Sequence, residues 1–142
     1  MTFDDAYAFT ADPADLDREL VHRWLSGQAY WALGRPRAIQ DAAMDASRNY
    51  GVIRRDSRAQ VAFARVVTDG ATFAWLCDVF VDPAERGNGV GKALVGGVLA
   101  DLEPLGLRRT LLATADAHGL YAANGFTPLA APERMMELRT EL

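Results

Sequence analysis

Residues 86–92 read Arg-Gly-Asn-Gly-Val-Gly-Lys, with Gly87, Gly89 and Gly91 alternating with other residues just where an apolar periodicity begins. From Val90 onward, Leu94, Val95, Val98, Leu99 and Leu102 recur on one face of a 3.6-residue repeat, which predicts a helix starting at the last glycines. Its unpaired N–H groups and positive dipole end would face the space the glycines leave, the arrangement by which main chain holds a phosphate. Upstream, 77–81 read as a buried strand, and Pro83, which has no N–H, ends its pairing. Two phosphate-binding patterns fail on spacing. A Walker A loop would need glycine at Arg86 and Ser or Thr at Ala93, and a dinucleotide fingerprint from Gly87 would need glycine at Lys92.

The pattern that fits is Arg-x-x-Gly-x-Gly, as Arg86, Gly89 and Gly91, after a strand ending Val81-Asp82-Pro83. A second stretch, 114–126, places Ala117, Leu120, Tyr121, Gly125 and Phe126 in the register Ala-x-x-Leu-Tyr-x-x-x-Gly-Phe. Together the two stretches resemble the coenzyme A loop and the following helix of the GNAT superfamily of acyl-CoA-dependent N-acetyltransferases. The resemblance implies acetyl-CoA as co-substrate, with no metal, and direct transfer to a primary amine in a ternary complex. It implies that the main chain of 87–92 (Gly87, Asn88, Gly89, Val90, Gly91 and Lys92) holds the pyrophosphate, that Val79 and Val81 meet the pantetheine arm, and that Arg86 and Lys92 add charge. Thr114 stands where the family commonly has an asparagine; a hydroxyl can make one such contact but not the amide's paired donor and acceptor.

Acyl transfer from a thioester to an amine expels a thiolate, and a protonated thiol leaves more readily. Tyr121 is the expected proton donor, because a phenol with a reference pKa of about 10 stays protonated at neutral pH. The amine must also arrive neutral, so a base is expected, acting directly or through water. Asp78 on the central strand is the first candidate, with Glu85, Asp116 and His118 as others; the alternative for Asp78 is an ion pair with an arginine such as Arg65. Cys77 is expected to be a small buried residue rather than an acyl carrier. Tyr30, Trp31 and Trp75 are the candidate acceptor-binding residues, because aromatic faces attract a cationic amine or a flat ring. Asp41 and Asp45 could draw in a cation.

Positioning these residues requires a mixed sheet. Strands are predicted at 7–11, 50–54, 60–68, 72–81 and 109–114, with turns at 55–58 and 68–70. Helices are predicted from Pro13 (capped by Asp12), over 36–47, from Val90, and over 117–123, and a closing hairpin from Phe126 and 134–138. That order is also the order of the GNAT fold. The expectation is one α/β domain, 1–142, a single GNAT-like domain with a mixed, mostly antiparallel sheet flanked by helices. Its 142 residues suit one domain, and its net charge of −4 without a basic run argues against nucleic-acid or anionic-membrane partners. A single cysteine leaves no internal disulfide. No N-terminal targeting pattern or long apolar run is seen, so a cytoplasmic location is expected. A small-molecule amine is the expected partner, with a protein or peptide acceptor or a non-catalytic coenzyme A-binding regulatory module as the alternatives, and a homodimer through Met135, Met136 and Leu138 as a further possibility.

Overall fold

In a computed structural model describing residues 3–140, one helical turn, α1 (Phe3–Ala6), leads into β1 (Tyr7–Thr10). There follow α2 (Arg18–Gln28), α3 (Arg37–Asp45), β2 (Arg48–Arg54), β3 (Gln60–Thr68), β4 (Phe73–Val81), α4 (Val90–Leu102), β5 (Arg109–Leu111) and α5 (His118–Ala122). The five strands lie in the order β1-β2-β3-β4-β5. All neighbours are antiparallel except β4 and β5, which run parallel. The expected mixed, mostly antiparallel sheet flanked by helices is thus observed.

Each face of the sheet buries a different cluster. On one face α4 lays Val90, Leu94, Val95, Val98 and Leu102 against Tyr50, Val52, Ala62, Ala64, Val66, Ala74 and Leu76. On the other, Val21, Trp24 and Leu25 of α2 and Met44 of α3 cover Phe63 and Phe80. The Trp24 and Phe80 rings stack at 5.3 Å. A Cβ at Gly97 would lie 2.5 Å from the Phe9 ring, so α4 crosses β1 only because that position has no side chain. Gly97→Val is therefore expected to cost about 1–3 kcal/mol of stability, read from urea unfolding.

The pairing of β3 with β4 slips by one residue. Phe63 opposes Phe80, yet Arg65 opposes Cys77, so β4 carries one residue more than its partner over this stretch. Asp78 sits in the slip with φ of 52°, a left-handed conformation that aspartate tolerates better than most residues. As a result Ala74 and Leu76 share the α4 face with Val79 and Val81, while Phe80 packs on the opposite face. Beside this bulge the sheet opens: β5 pairs with Phe73, Ala74 and Trp75, and among the described residues no strand pairs with 76–81 of β4 on that side.

Three expectations need correction. The first long helix starts at Arg18 rather than Pro13; Asp12 caps a short 3-10 turn, Pro13–Asp15, and Asp17 caps α2 by accepting from the Leu20 N–H. The Asp17 N–H donates to the Gln60 side chain at 2.8 Å, which fixes the extended break between turn and helix. β5 ends at Leu111 rather than residue 114, because the chain leaves β4 there to form the opening. No closing hairpin forms among the described residues. Pro128 and Pro132 remove donors from the approach, and beyond the turn Pro132–Arg134 the chain carries no strand, with Met136 and Leu138 95% and 96% exposed.

Candidate active site

The opening between β4 and β5 is the mouth of a cleft of about 1100 Å³. At one end lies the glycine loop. Gly87 and Gly89 have φ of 87° and 77°, which only glycine adopts at no steric cost, and Gly89 is the N-cap of α4 with no side-chain cap. The first helical bond closes from the Ala93 N–H to the Gly89 carbonyl, so the N–H groups before it face the cleft rather than a helical partner. Main-chain N–H groups are thus left without helical partners beside the cleft. Apart from each one's chain neighbours, no described residue lies within 4 Å of a Cβ built at either glycine, so the room around them is open.

The loop is anchored through Tyr7 and Arg54, which the sequence did not single out. Tyr7 of β1 donates to the buried Glu85 carboxylate, Arg54 of β2 donates to the same group at 2.8 Å, and the Asn88 amide donates to the Tyr7 hydroxyl at 3.2 Å. The Tyr7 hydrogen bond, then Arg54, holds the Glu85 carboxyl below its usual range in spite of burial. Glu85 is therefore occupied as the anchor of the loop. Asn88 contributes its side chain to the anchor and, unlike Gly87, Gly89, Val90, Gly91 and Lys92, does not line the cleft. Glu85→Gln is expected to cost about 1.5 kcal/mol, the low end for a charged hydrogen bond because Arg54 is 37% exposed, and to raise amide exchange at 86–89.

Arg86 turns back on β4. Its Nε donates to the Val81 carbonyl at 3.2 Å and its guanidinium lies 5.7 Å from the centre of the Phe80 ring. Lys92, on the first turn of α4, also lines the cleft, as do Val79 and Val81 on the unpaired edge of β4. Thr114 lies at the cleft wall opposite. Its hydroxyl accepts from the Ala117 N–H at 3.0 Å and more weakly from Asp116, which starts α5 and leaves its own hydrogen free to donate.

Tyr121 is 8% exposed, its ring edge-on to Phe126 at 5.9 Å. Its hydroxyl has no hydrogen-bond partner among the described residues, yet it is not among the buried unsatisfied atoms, and the residue lines the cleft. Burial, then the nearby Tyr30 and Asp116, push its pKa up to about 12. A protonated donor thus faces open space.

The far half of the cleft is built around Asp78. Its carboxylate, 1% exposed, accepts from Trp31 Nε1 at 2.8 Å, Arg35 Nη1 at 2.8 Å, Arg35 Nη2 at 3.3 Å and Arg65 Nε at 2.9 Å. Burial pushes the carboxyl up, but the hydrogen bond and charge of Arg35, together with Arg65 and Trp31, outweigh it and hold it below the usual range. Of the two readings of Asp78 in the sequence, the ion pair with Arg65 is present, with a second arginine beside it. His22 Nε2 lies 2.8 Å from the Arg35 carbonyl and fixes the loop that delivers Arg35. Trp75 lines the same space. Tyr30, 52% exposed, reaches across, and its hydroxyl accepts from the Ala115 N–H at 2.9 Å.

Of the other candidates, Asp41, Asp45 and His118 lie outside the cleft, whereas Asp116 lines it, as does Cys77, which is half-buried rather than buried as expected. Asp41 pairs with Arg18 and Arg37, and Asp45 with Arg18, so neither helix carboxylate is directed into the cleft. His118 is exposed at the start of α5. Burial pushes the Cys77 thiol up to about 11 against the opposing charge of Arg65, which leaves it a poor nucleophile. Among the described residues no group of three His, Cys, Asp or Glu is placed to hold a metal, and no helix is long and apolar enough to cross a membrane.

A sheet that parts between two parallel strands, with unpaired main-chain N–H groups at one end of the gap and a buried phenol lining it, frames the candidate site. The comparisons with known proteins give the family: the model of the acetyltransferase (GNAT) family matches residues 18–126, and the chain belongs to it. The chain is 47% identical to a GNAT-family protein of Xanthomonas campestris pv. campestris, whose crystal structure superimposes with a TM-score of 0.87 over 94% of this chain and 93% of that one. FG08082 of Gibberella zeae, named as an acetyltransferase, is 30% identical over 138 residues, covering 83% of this chain and 77% of its own. The Rv2747 protein of Mycobacterium tuberculosis, solved with CoA, shares the fold at a TM-score of 0.71 and 21% identity, over 87% of this chain and 76% of that one.

Proposed function

We propose that the protein transfers an acetyl group from acetyl-CoA to a primary amine of a small molecule, directly, within a ternary complex. The observation that carries the reading is the partnerless hydroxyl of Tyr121 in a cleft whose other end is an unpaired helix N-terminus. Main-chain N–H groups of 87–92 hold the pyrophosphate, with charge from Arg86 and Lys92. The free edge of β4 at Val79 and Val81 meets the amides of the pantetheine arm as a strand would, and Thr114 donates its hydroxyl hydrogen. Tyr121 protonates the departing thiolate. Tyr30, Trp31 and Trp75 wall the acceptor side.

Asp78 serves this reading as a positioning residue. A carboxylate that accepts hydrogen bonds from Trp31, Arg35 and Arg65 and is held below its usual pKa is a weak base, so the amine proton leaves through water. The test is calorimetric titration with acetyl-CoA followed by thiol release across an amine panel. Binding with amine-dependent release supports the reading. No acetyl-CoA binding overturns the choice of donor, and binding without release from any amine points instead to a coenzyme-binding regulatory module.

A further inference from the structure

Two guanidiniums converge on one carboxylate in the acceptor half of the cleft. Arg35 comes from the loop after α2 and Arg65 from β3; their side chains are 19% and 14% exposed, and both line the cavity. Asp78 is their only anionic partner among the described residues. The remaining bonds go to neutral groups, Arg35 Nη1 to Gln40 Oε1 at 2.8 Å and Arg65 Nη1 to Ser47 Oγ at 3.1 Å. Arg65 Nη2 and Arg35 Nε have no hydrogen-bond partner among the described residues, and neither is a buried unsatisfied atom, so both are accessible.

The other charges on the cleft do not cancel the excess. Glu85 is taken by Tyr7 and Arg54, Asp116 is exposed beside α5, and Arg86 and Lys92 are of the same sign. One positive charge is therefore left over in a half-dry cavity, which is costly unless a ligand supplies the counter-ion. It also disfavours an acceptor whose only charge is its ammonium. Two guanidiniums that each keep one partnerless nitrogen offer charge-assisted N–H donors to a carboxylate. We infer that the acceptor is an amine that also carries a carboxylate, an amino-acid-like molecule whose acid group is held by Arg65 and Arg35. This inference rests on the transferase reading above.

Matched amines test it in the full-length protein: phenylalanine against 2-phenylethylamine, tryptophan against tryptamine, and phosphoethanolamine against ethanolamine, each followed by CoA release. The carboxylated partner is expected to have kcat/KM roughly ten- to a hundredfold higher. Arg65→Gln should bring that ratio close to one, and Arg65→Lys, which keeps charge without the fork, should retain part of it. An unchanged acetyl-CoA Kd shows that a variant is folded. A native ratio of one or below, or the same ratio in Arg65→Gln, overturns the inference; preference for phosphoethanolamine over the carboxylated amines overturns the assignment of a carboxylate. A second readout does not need turnover: calorimetry of N-acetylphenylalanine into the CoA-loaded protein. If no amine is acetylated the transferase reading fails by itself, whereas binding of N-acetylphenylalanine that is lost in Arg65→Gln upholds the anion site, and no binding overturns it.

Discussion

Tyr121→Phe is expected to lower kcat about a hundredfold while leaving the Kd for acetyl-CoA within about twofold. The magnitude is the low end of what a positioned general acid contributes, because water entering the open cleft can replace the lost proton source in part. It corresponds to about 2.7 kcal/mol of transition-state stabilisation. The substitution removes one oxygen that has no partner among the described residues, so the ring keeps its edge-on packing against Phe126 and the fold is not perturbed. The pH profile gives a second signature. Because burial raises the Tyr121 pKa to about 12, the phenol stays protonated throughout the working range, and the native rate should rise with pH as the amine loses its proton, with no fall attributable to Tyr121 below about pH 10. Steady-state thiol release across pH, for both proteins, measures this. Equal kcat values would remove Tyr121 from the chemistry.

Gly89→Val is expected to weaken acetyl-CoA binding at least a hundredfold, read by calorimetry. Two effects act in the same direction. At φ of 77° a β-branched residue is strained, by on the order of 1–3 kcal/mol, and relieving that strain turns the first N–H groups of α4 out of line. The new methyl groups would also occupy the open side of the loop, where no described residue beyond the chain neighbours comes within 4 Å of a Cβ but where a pyrophosphate would rest. Gly91 provides the internal comparison. It has an ordinary helical backbone, and a Cβ there would meet Leu120 and Val81 at 3.6 and 3.7 Å, normal contact distances. Gly91→Ala should therefore bind within about tenfold of the native protein. Retained tight binding in Gly89→Val would show that the coenzyme's phosphates lie elsewhere.

The loop and its helix were legible because every signal for them is local. Glycine spacing, the proline that ends the strand and the period of α4 all fall within 83–102, and the order of elements followed from similar short-range patterns. What escaped was set by distant pairing. Tyr7 and Glu85 are 78 residues apart, and Arg35 and Asp78 are 43 apart, so no window of sequence shows either contact. Trp31 looked like a wall for a cation, but its ring N–H belongs to the Asp78 cluster. The slip in β4 is hidden for another reason: alternation around Asp78 reads correctly on each side taken alone, and only the register with β3 reveals the surplus residue. The hairpin expected near the C-terminus rested on apolar residues at 135–138, which extended chain carries equally well without a partner.

That surplus residue has a consequence for how chain length can vary in this protein. With Asp78 deleted, Val79 would follow Cys77, and the pairing offset that joins Arg65 to Cys77 would run unbroken through to Phe63 and Phe80. Faces would be preserved on both sides of the cut, since Ala74, Leu76, Val79 and Val81 would still alternate with Cys77 and Phe80. The ladder would become regular and the left-handed residue would vanish, leaving the arginines without their shared anion. Asp78 is thus an insertion that the sheet does not need for its own pairing, a loss of regularity that concentrates polar groups where the strands part. A shortened β4 should yield a regular ladder and a differently charged cleft.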